Sequence, residues 1–268
     1  MSADRCVWTD CASEAGRPPP TQMAARMMSL RHRVASAFAG ATVFGSALSF
    51  SRAPLDTDDS TLKTLDDLYA GLDNGDFIPF EDQKRIDDSG GDQAYGELTI
   101  RGMRELQPKL RPRADDVFYD LGSGTGRAVV QAALEWPVQR AVGVELSASR
   151  HAVGEAAMAR ADPSLQKRVV LREGDMIACD GCEDMTILYV AGLLFDEPFM
   201  ARLGERLGQL PRLRAITTLQ RFPPDSLPES FVEDPSNAAP HDDAAARSER
   251  VEVTWGAARV YRYERAIG

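Results

Sequence analysis

The sequence predicts an α/β protein built on a doubly wound, seven-stranded, mostly parallel sheet. Three observations carry this reading. From residue 117 onward, short apolar runs alternate with segments of helical period. A glycine-rich turn, Gly122-Ser-Gly-Thr-Gly126, joins the first of those runs to the helix behind it. Two β-rich runs close the chain. Alternating strand and helix favours parallel strands with crossovers, and two strands in succession favour an antiparallel edge. At 268 residues the chain is long enough for one such domain with extensions.

Taken in order, Thr61 to Leu72 reads as a helix, with Leu62, Leu65, Leu68, Tyr69 and Leu72 on one stripe. Asp73 to Gly91 is rich in Gly and Asp and contains Pro79, so it reads as a loop with Phe77, Ile78 and Phe80 to pack. Glu97 to Leu110 reads as a second helix, ended by Pro112. Val117-Phe-Tyr is the first strand, and the glycine turn feeds a helix over about 125–136. Arg140 to Leu146 follows as a strand, with Ser147 capping a helix to about Arg160. Val169-Val-Leu171, Thr186 to Val190 and Arg214 to Leu219 read as strands, with a helix over Glu197 to Leu207. Phe222 to Ala246 reads as a mobile insertion, rich in Pro, Asp, Ser and Ala. Val251 to Trp255 and Arg259 to Tyr263, separated by Gly256-Ala-Ala, read as a closing antiparallel hairpin. The expected organisation is thus 1–55 as a targeting or disordered segment, 56–115 as a helical arm and lid, and 116–268 as the core.

Composition narrows the partners. The formal net charge is −10. Setting aside the six arginines and three acids of residues 1–55 leaves 25 basic and 38 acidic residues, a net of −13. An acidic surface discourages direct nucleic-acid binding, which rests on cations meeting phosphates, and suits a basic protein partner. Between Ala15 and Leu55 there is no acid, while Arg17, Arg26, Arg31, Arg33 and Arg52 are present. That bias marks mitochondrial or plastid transit peptides. A membrane contact through residues 34–50 and a disordered tail are the alternatives. Cys179-Asp-Gly-Cys182 lacks a second spaced pair and reads as reduced thiols, and the three histidines show no metal-ligand spacing, so no metal is expected.

The chemistry concentrates at successive strand ends. Glycines between a strand and a helix allow a sharp turn and a close approach of ligand to backbone, and the helix start presents outward amides. A dinucleotide fingerprint needs its third glycine where Arg127 stands. Asp120 ends the strand, where a carboxylate repels a pyrophosphate but can hold an amino-bearing ligand. Glu145 ends the next strand, placed for ribose hydroxyls. In Gly174-Asp-Met176, Asp175 suits an adenine amino group and Met176 the face of the ring. Adenosine with a zwitterionic, sulfonium-bearing tail fits this pattern, which makes S-adenosylmethionine the expected cofactor.

These motifs, Asp120 to Gly126, Gly143-Val-Glu145 and Gly174-Asp175, resemble those of class I S-adenosylmethionine-dependent methyltransferases, a Rossmann-like fold. Ala94-Tyr-Gly-Glu97 and Gln220-Arg-Phe-Pro-Pro224 are similar to segments of the disruptor-of-telomeric-silencing type of histone-lysine methyltransferase. The likeness covers roughly Phe77 to Pro224. It implies that Tyr95, Glu97 and Thr99 lie over the methionine end of the cofactor. Asp120, Gly122, Ser123, Gly124 and Gly126 cradle it, Glu145 holds the ribose, and Asp175 with Met176 holds the adenine. It also implies a lysine-bearing protein substrate and a nuclear location, against the organellar reading of the N-terminus. The sequence departs from that family after the fourth strand, where Val190-Ala-Gly-Leu-Leu-Phe195 has no amide side chain. A lysine nucleophile must arrive neutral although its free pKa is about 10.4. An apolar channel favours that form, and Tyr95, Phe195 and Phe222 are the expected walls. Methyl transfer to a small molecule or another protein side chain, and a non-catalytic binding domain, are the alternative functions.

Overall fold

The computed structural model describes residues 59–238 and 249–266. Its centre is a seven-stranded sheet made of β1 (Val117–Leu121), β2 (Arg140–Glu145), β3 (Val169–Glu173), β4 (Ile187–Val190), β5 (Ala215–Thr218), β6 (Phe231–Glu233) and β9 (Tyr261–Arg265). They lie in the order β3-β2-β1-β4-β5-β9-β6. The first five are parallel, and β9 and β6 run antiparallel to their neighbours. The order reverses between β1 and β4, so a crevice opens past their carboxyl ends, the usual ligand position in such sheets. Both faces are covered, which explains why β1 is buried at every position. Phe118 faces one layer, where its ring meets Trp136 at 4.9 Å, while Val117, Tyr119 and Leu121 belong to the layer on the other side.

Helices α1 (Ser60–Tyr69), α2 (Phe80–Ser89) and α3 (Ile100–Leu110) precede the sheet. Helices α4 (Arg127–Glu135), α5 (Ala148–Met158), α6 (Pro163–Arg168) and α7 (Glu197–Gly208) connect the parallel strands. Their starts follow local chemistry: Asp59, Thr99, Ser147, Asp162 and Asp196 each accept a backbone N–H of the first turn. The short α6 was not expected; Asp162-Pro163 supplies its cap and first residue, within six residues that show little periodicity.

Four further expectations are corrected. The loop over 73–91 contains α2, whose first turn carries Glu81 and Asp82 and whose end is closed by Gly90 in the left-handed region. Its apolar content is so low that only Ile86 anchors it to the core, while Phe77 and Phe80 are 60% and 72% exposed. The closing hairpin is broken in two. The chain turns at Thr254-Trp255, so β7 (Arg250–Val253) pairs with β8 (Gly256–Arg259) as a separate small sheet. β9 then departs to join β5 and β6. Over its described residues the insertion after Phe222 has regular structure, supplying β6 and a 3-10 turn, Pro235–Ala238, held by Asn237 to the Arg262 carbonyl. Cys179 and Cys182 are buried and joined as a disulfide, not reduced thiols. The reading of residues 1–55, including the apolar stretch 34–50, falls outside the described residues. Among the described residues no helix is long and apolar enough to cross a membrane.

Candidate functional site

The turn after β1 is shaped by its glycines. Gly122, Gly124 and Gly126 have φ of 85°, 57° and 83°, a region where a Cβ is strained. Gly122 and Ser123 donate their amides to the Val144 carbonyl at 2.8 and 3.1 Å, which stitches the turn to β2. Ser123 points back at the sheet: a Cβ at Gly143 would fall 2.6 Å from its hydroxyl oxygen. That close approach is the reason for the glycine in Gly143-Val-Glu145. Met176 reaches over the turn, its Cε 3.3 Å from where a Gly122 side chain would begin.

Two carboxylates face the crevice with different partners. Glu145 accepts the Gly124 amide on Oε2 and the Ser147 amide on Oε1, both at 2.8 Å. Each oxygen keeps a second lone pair, so ribose hydroxyls remain within its capacity. Asp120 is 4% exposed, and its carboxylate has no hydrogen-bond partner among the described residues. Burial, and then the charges of Glu145 and Glu97, push its pKa up to about 8. An acid set into the crevice wall beside two other carboxylates lacks a counter-charge, and a cationic ammonium would supply one. This observation is the test of fit for S-adenosylmethionine, whose amino-acid end carries that ammonium, and the residues pass it.

The segment before α3 closes the site. The Tyr95 ring lies against Gly124, where a Cβ would come within 2.4 Å of it. The Tyr95 hydroxyl accepts the Thr125 amide at 3.1 Å and donates to Glu97 Oε1. The Thr125 hydroxyl donates to that same oxygen at 2.8 Å. Burial and the Glu97 charge hold the Tyr95 phenol well above its usual range, so it stays protonated and keeps donating. Arg150 fixes this segment from behind. It is buried, stacks 4.2 Å over the Tyr95 ring, and donates to the Gly75 and Gln93 carbonyls at 3.0 Å each. Asp82 ties α2 to the start of α5, accepting from the Ser147 hydroxyl at 2.7 Å and from the Ser149 amide and hydroxyl at 2.9 and 2.6 Å.

Of the residues singled out in the sequence, Thr99 and Phe222 serve other ends, while Phe195 and Asp175 have structural partners beside the crevice. Thr99 caps α3, accepting the Gly102 amide at 3.0 Å, and its hydroxyl is turned toward Glu252, so it holds the helix rather than the crevice. Phe222 is core: it is buried, edge-on to Tyr263 at 5.4 Å, and its amide donates to the Tyr263 hydroxyl. Phe195 is half-buried against Phe199 at 4.5 Å, and its carbonyl accepts from Gln220, which joins the turn after β4 to the loop after β5. Asp175 accepts the Ile177 amide at 2.8 Å and shapes its turn. Asp82, Thr125 and Arg150 were missed. Asp82 sits in a stretch that reads as loop, and Arg150 in a helix whose sequence gives no sign that it faces inward.

Fold and site together form a doubly wound sheet with a glycine turn and two carboxylates at the point where its strand order reverses. The chain belongs to the family described as histone methylation protein DOT1, which matches residues 82–264. Among its relatives is the histone-lysine N-methyltransferase, H3 lysine-79 specific, of Aspergillus fumigatus, 46% identical over 48 residues. That match covers 18% of this chain and 10% of the relative. A protein-lysine N-methyltransferase of Saccharolobus islandicus is 41% identical over 54 residues, 20% of this chain and 32% of the relative. The chain thus matches about a tenth of the first relative and a third of the second. Among solved structures, an RNA methyltransferase from Salinibacter ruber in complex with S-adenosyl-L-homocysteine has 23% identity and a TM-score of 0.40, over 62% of this chain and 91% of that one.

Proposed function

We propose that this protein is an S-adenosylmethionine-dependent protein-lysine N-methyltransferase. The observation that carries the reading is Asp120, a buried carboxylate with no internal partner at the end of β1, beside a glycine turn and a second carboxylate on β2. Asp120 meets the ammonium of the cofactor's amino-acid end, Glu145 the ribose hydroxyls, and Met176 with Asp175 the adenine. Tyr95 and Glu97 cover the same end as Asp120. The bound cofactor supplies a methyl group already activated by its sulfonium. The protein's task is then alignment, since displacement on such a carbon needs the acceptor in line and close.

The acceptor amine is neutral when it attacks. Apolar residues at the crevice, Ala191, Leu193 and Phe195 among them, disfavour its ammonium by desolvation. The acidic chain attracts a basic substrate protein by long-range charge, and the relatives' printed activities support lysine as the acceptor. A second reading, transfer to a small molecule or another side chain, is favoured by the turn Val190-Ala-Gly-Leu-Leu-Phe195, which offers no amide side chain to orient a lysine. Calorimetric titration of the full chain with S-adenosylmethionine, with Asp120→Ala and Glu145→Ala beside it, tests the cofactor site. Methyl-label transfer onto histones and onto peptides with and without lysine then separates the two readings. A folded wild-type chain that binds no S-adenosylmethionine sinks both.

A further inference from the structure

Tyr95 and Glu97 lie on either side of a glycine, in a stretch with no regular structure of its own. Glycine loses more freedom on ordering than any other residue, so two site residues flanking one are held only if something else fixes it. The small C-terminal sheet does this. The Glu97 amide donates to the Thr254 hydroxyl at 3.2 Å, the Thr254 amide to the Glu97 carbonyl at 2.9 Å, and the Thr99 amide to the Glu252 carbonyl at 3.2 Å. Leu98 forms a bridge with Val253. At the tip of the turn, the six-membered ring of the Trp255 indole abuts Gly96, so close that a Cβ there would fall 1.7 Å from Cζ3 and 2.2 Å from Cε3. β7 is itself braced on α3, since a Cβ at Gly102 would fall 1.9 Å from the Glu252 carbonyl oxygen, and the Glu252 amide donates to Glu105.

We infer that Trp255 is a positioning residue for the methionine end of the cofactor, acting through Gly96 on Tyr95 and Glu97. The inference rests on the cofactor placement proposed above. Core packing does not account for this tryptophan, which is 39% exposed yet is in close contact with the backbone between two site residues. With the indole removed, Gly96 regains its conformations. Glu97 then no longer holds Thr125 and the Tyr95 hydroxyl in one register, and the cover over Gly124 loosens.

The effect is local to one end of the ligand, which gives the test its discrimination. Affinities of the full chain for S-adenosylmethionine and for 5′-methylthioadenosine, which lacks the amino-acid end, are measured for wild type, Trp255→Ala and Trp255→Phe. Trp255→Ala is expected to weaken S-adenosylmethionine about tenfold, as one freed backbone residue implies, and to leave methylthioadenosine within about twofold. Trp255→Phe restores most of the loss by covering Gly96 again. Equal affinities of Trp255→Ala and wild type for S-adenosylmethionine overturn the inference, and so does an equal loss of both ligands, the mark of a merely structural role. If Trp255→Ala does not fold, Thr254→Val, which removes only the hydroxyl that accepts the Glu97 amide, is expected to weaken S-adenosylmethionine about threefold and spare methylthioadenosine; no change overturns the inference. A wild-type chain that binds neither ligand refutes the cofactor placement itself, a result distinct from all of these.

Discussion

The bond from Gly124 to Glu145 spans 21 positions of the chain, whereas that from Glu97 to Thr254 spans 157. The contrast runs through the whole site. The cradle on β1 and β2 is made by neighbouring strands and the turn between strand and helix, all set by local backbone conformation. The cover, with Asp82, Tyr95 and Glu97, is assembled from an arm, an arginine in the first turn of α5 and a C-terminal hairpin. Apart from the bond between Tyr95 and Glu97, these contacts close loops of chain longer than the cradle's and must offset the entropy of doing so. A cradle of the first kind persists when single contacts are lost. A cover of the second kind is the part that opens first.

Breaking the cradle gives the largest effect and runs in two directions at once. Asp120→Asn is expected to weaken S-adenosylmethionine about a hundredfold, the scale of a lost charged hydrogen bond. The same change stabilises the empty protein. The folded pKa of Asp120 is raised to about 8, so its burial is uncosted while protonated and becomes destabilising as pH rises from the ordinary carboxylate value toward 8. Melting curves of ligand-free protein are expected to show Asp120→Asn above wild type at pH 8, with the gap closing toward pH 4. Wild-type affinity for the cofactor is expected to climb over the same interval, because binding draws on the ionised form.

Arg150→Met sharpens the comparison from the other side. It orphans the Gly75 and Gln93 carbonyls and unstacks Tyr95, at about 2 to 4 kcal/mol. Hydrogen exchange is expected to rise across residues 75–99 while β1, β2 and β4 stay protected, and cofactor affinity falls about tenfold. Uniform exchange across the molecule would instead show that arm and cradle unfold together.

Asp82→Asn is the smallest of the three, about 1 to 2 kcal/mol at pH 7. Burial alone pushes the Asp82 pKa up, but the hydrogen bonds from Ser149 and Ser147 outweigh it and hold the carboxyl below its usual value. Its contribution is therefore present above the ordinary carboxylate range and is lost as pH falls through the depressed folded value. Chemical denaturation of wild type and Asp82→Asn is expected to differ at pH 7 and to draw together as pH falls below the ordinary carboxylate range.

What the sequence by itself determined is the parallel half of the sheet and the cradle. There, burial on both faces writes unbroken apolar strands, and positive φ writes glycines at Gly122, Gly124 and Gly126. Ser147 as a cap was legible for the same local reason. Only the tertiary structure decided that Thr99 and Phe222 serve the helix and the core, that Arg150 faces inward, that Val251–Trp255 pairs with β8 while β9 enters the main sheet, and that Trp255 reaches Gly96. These depend on which distant surface each side chain meets, and periodicity and turn chemistry report only a residue's near neighbours along the chain.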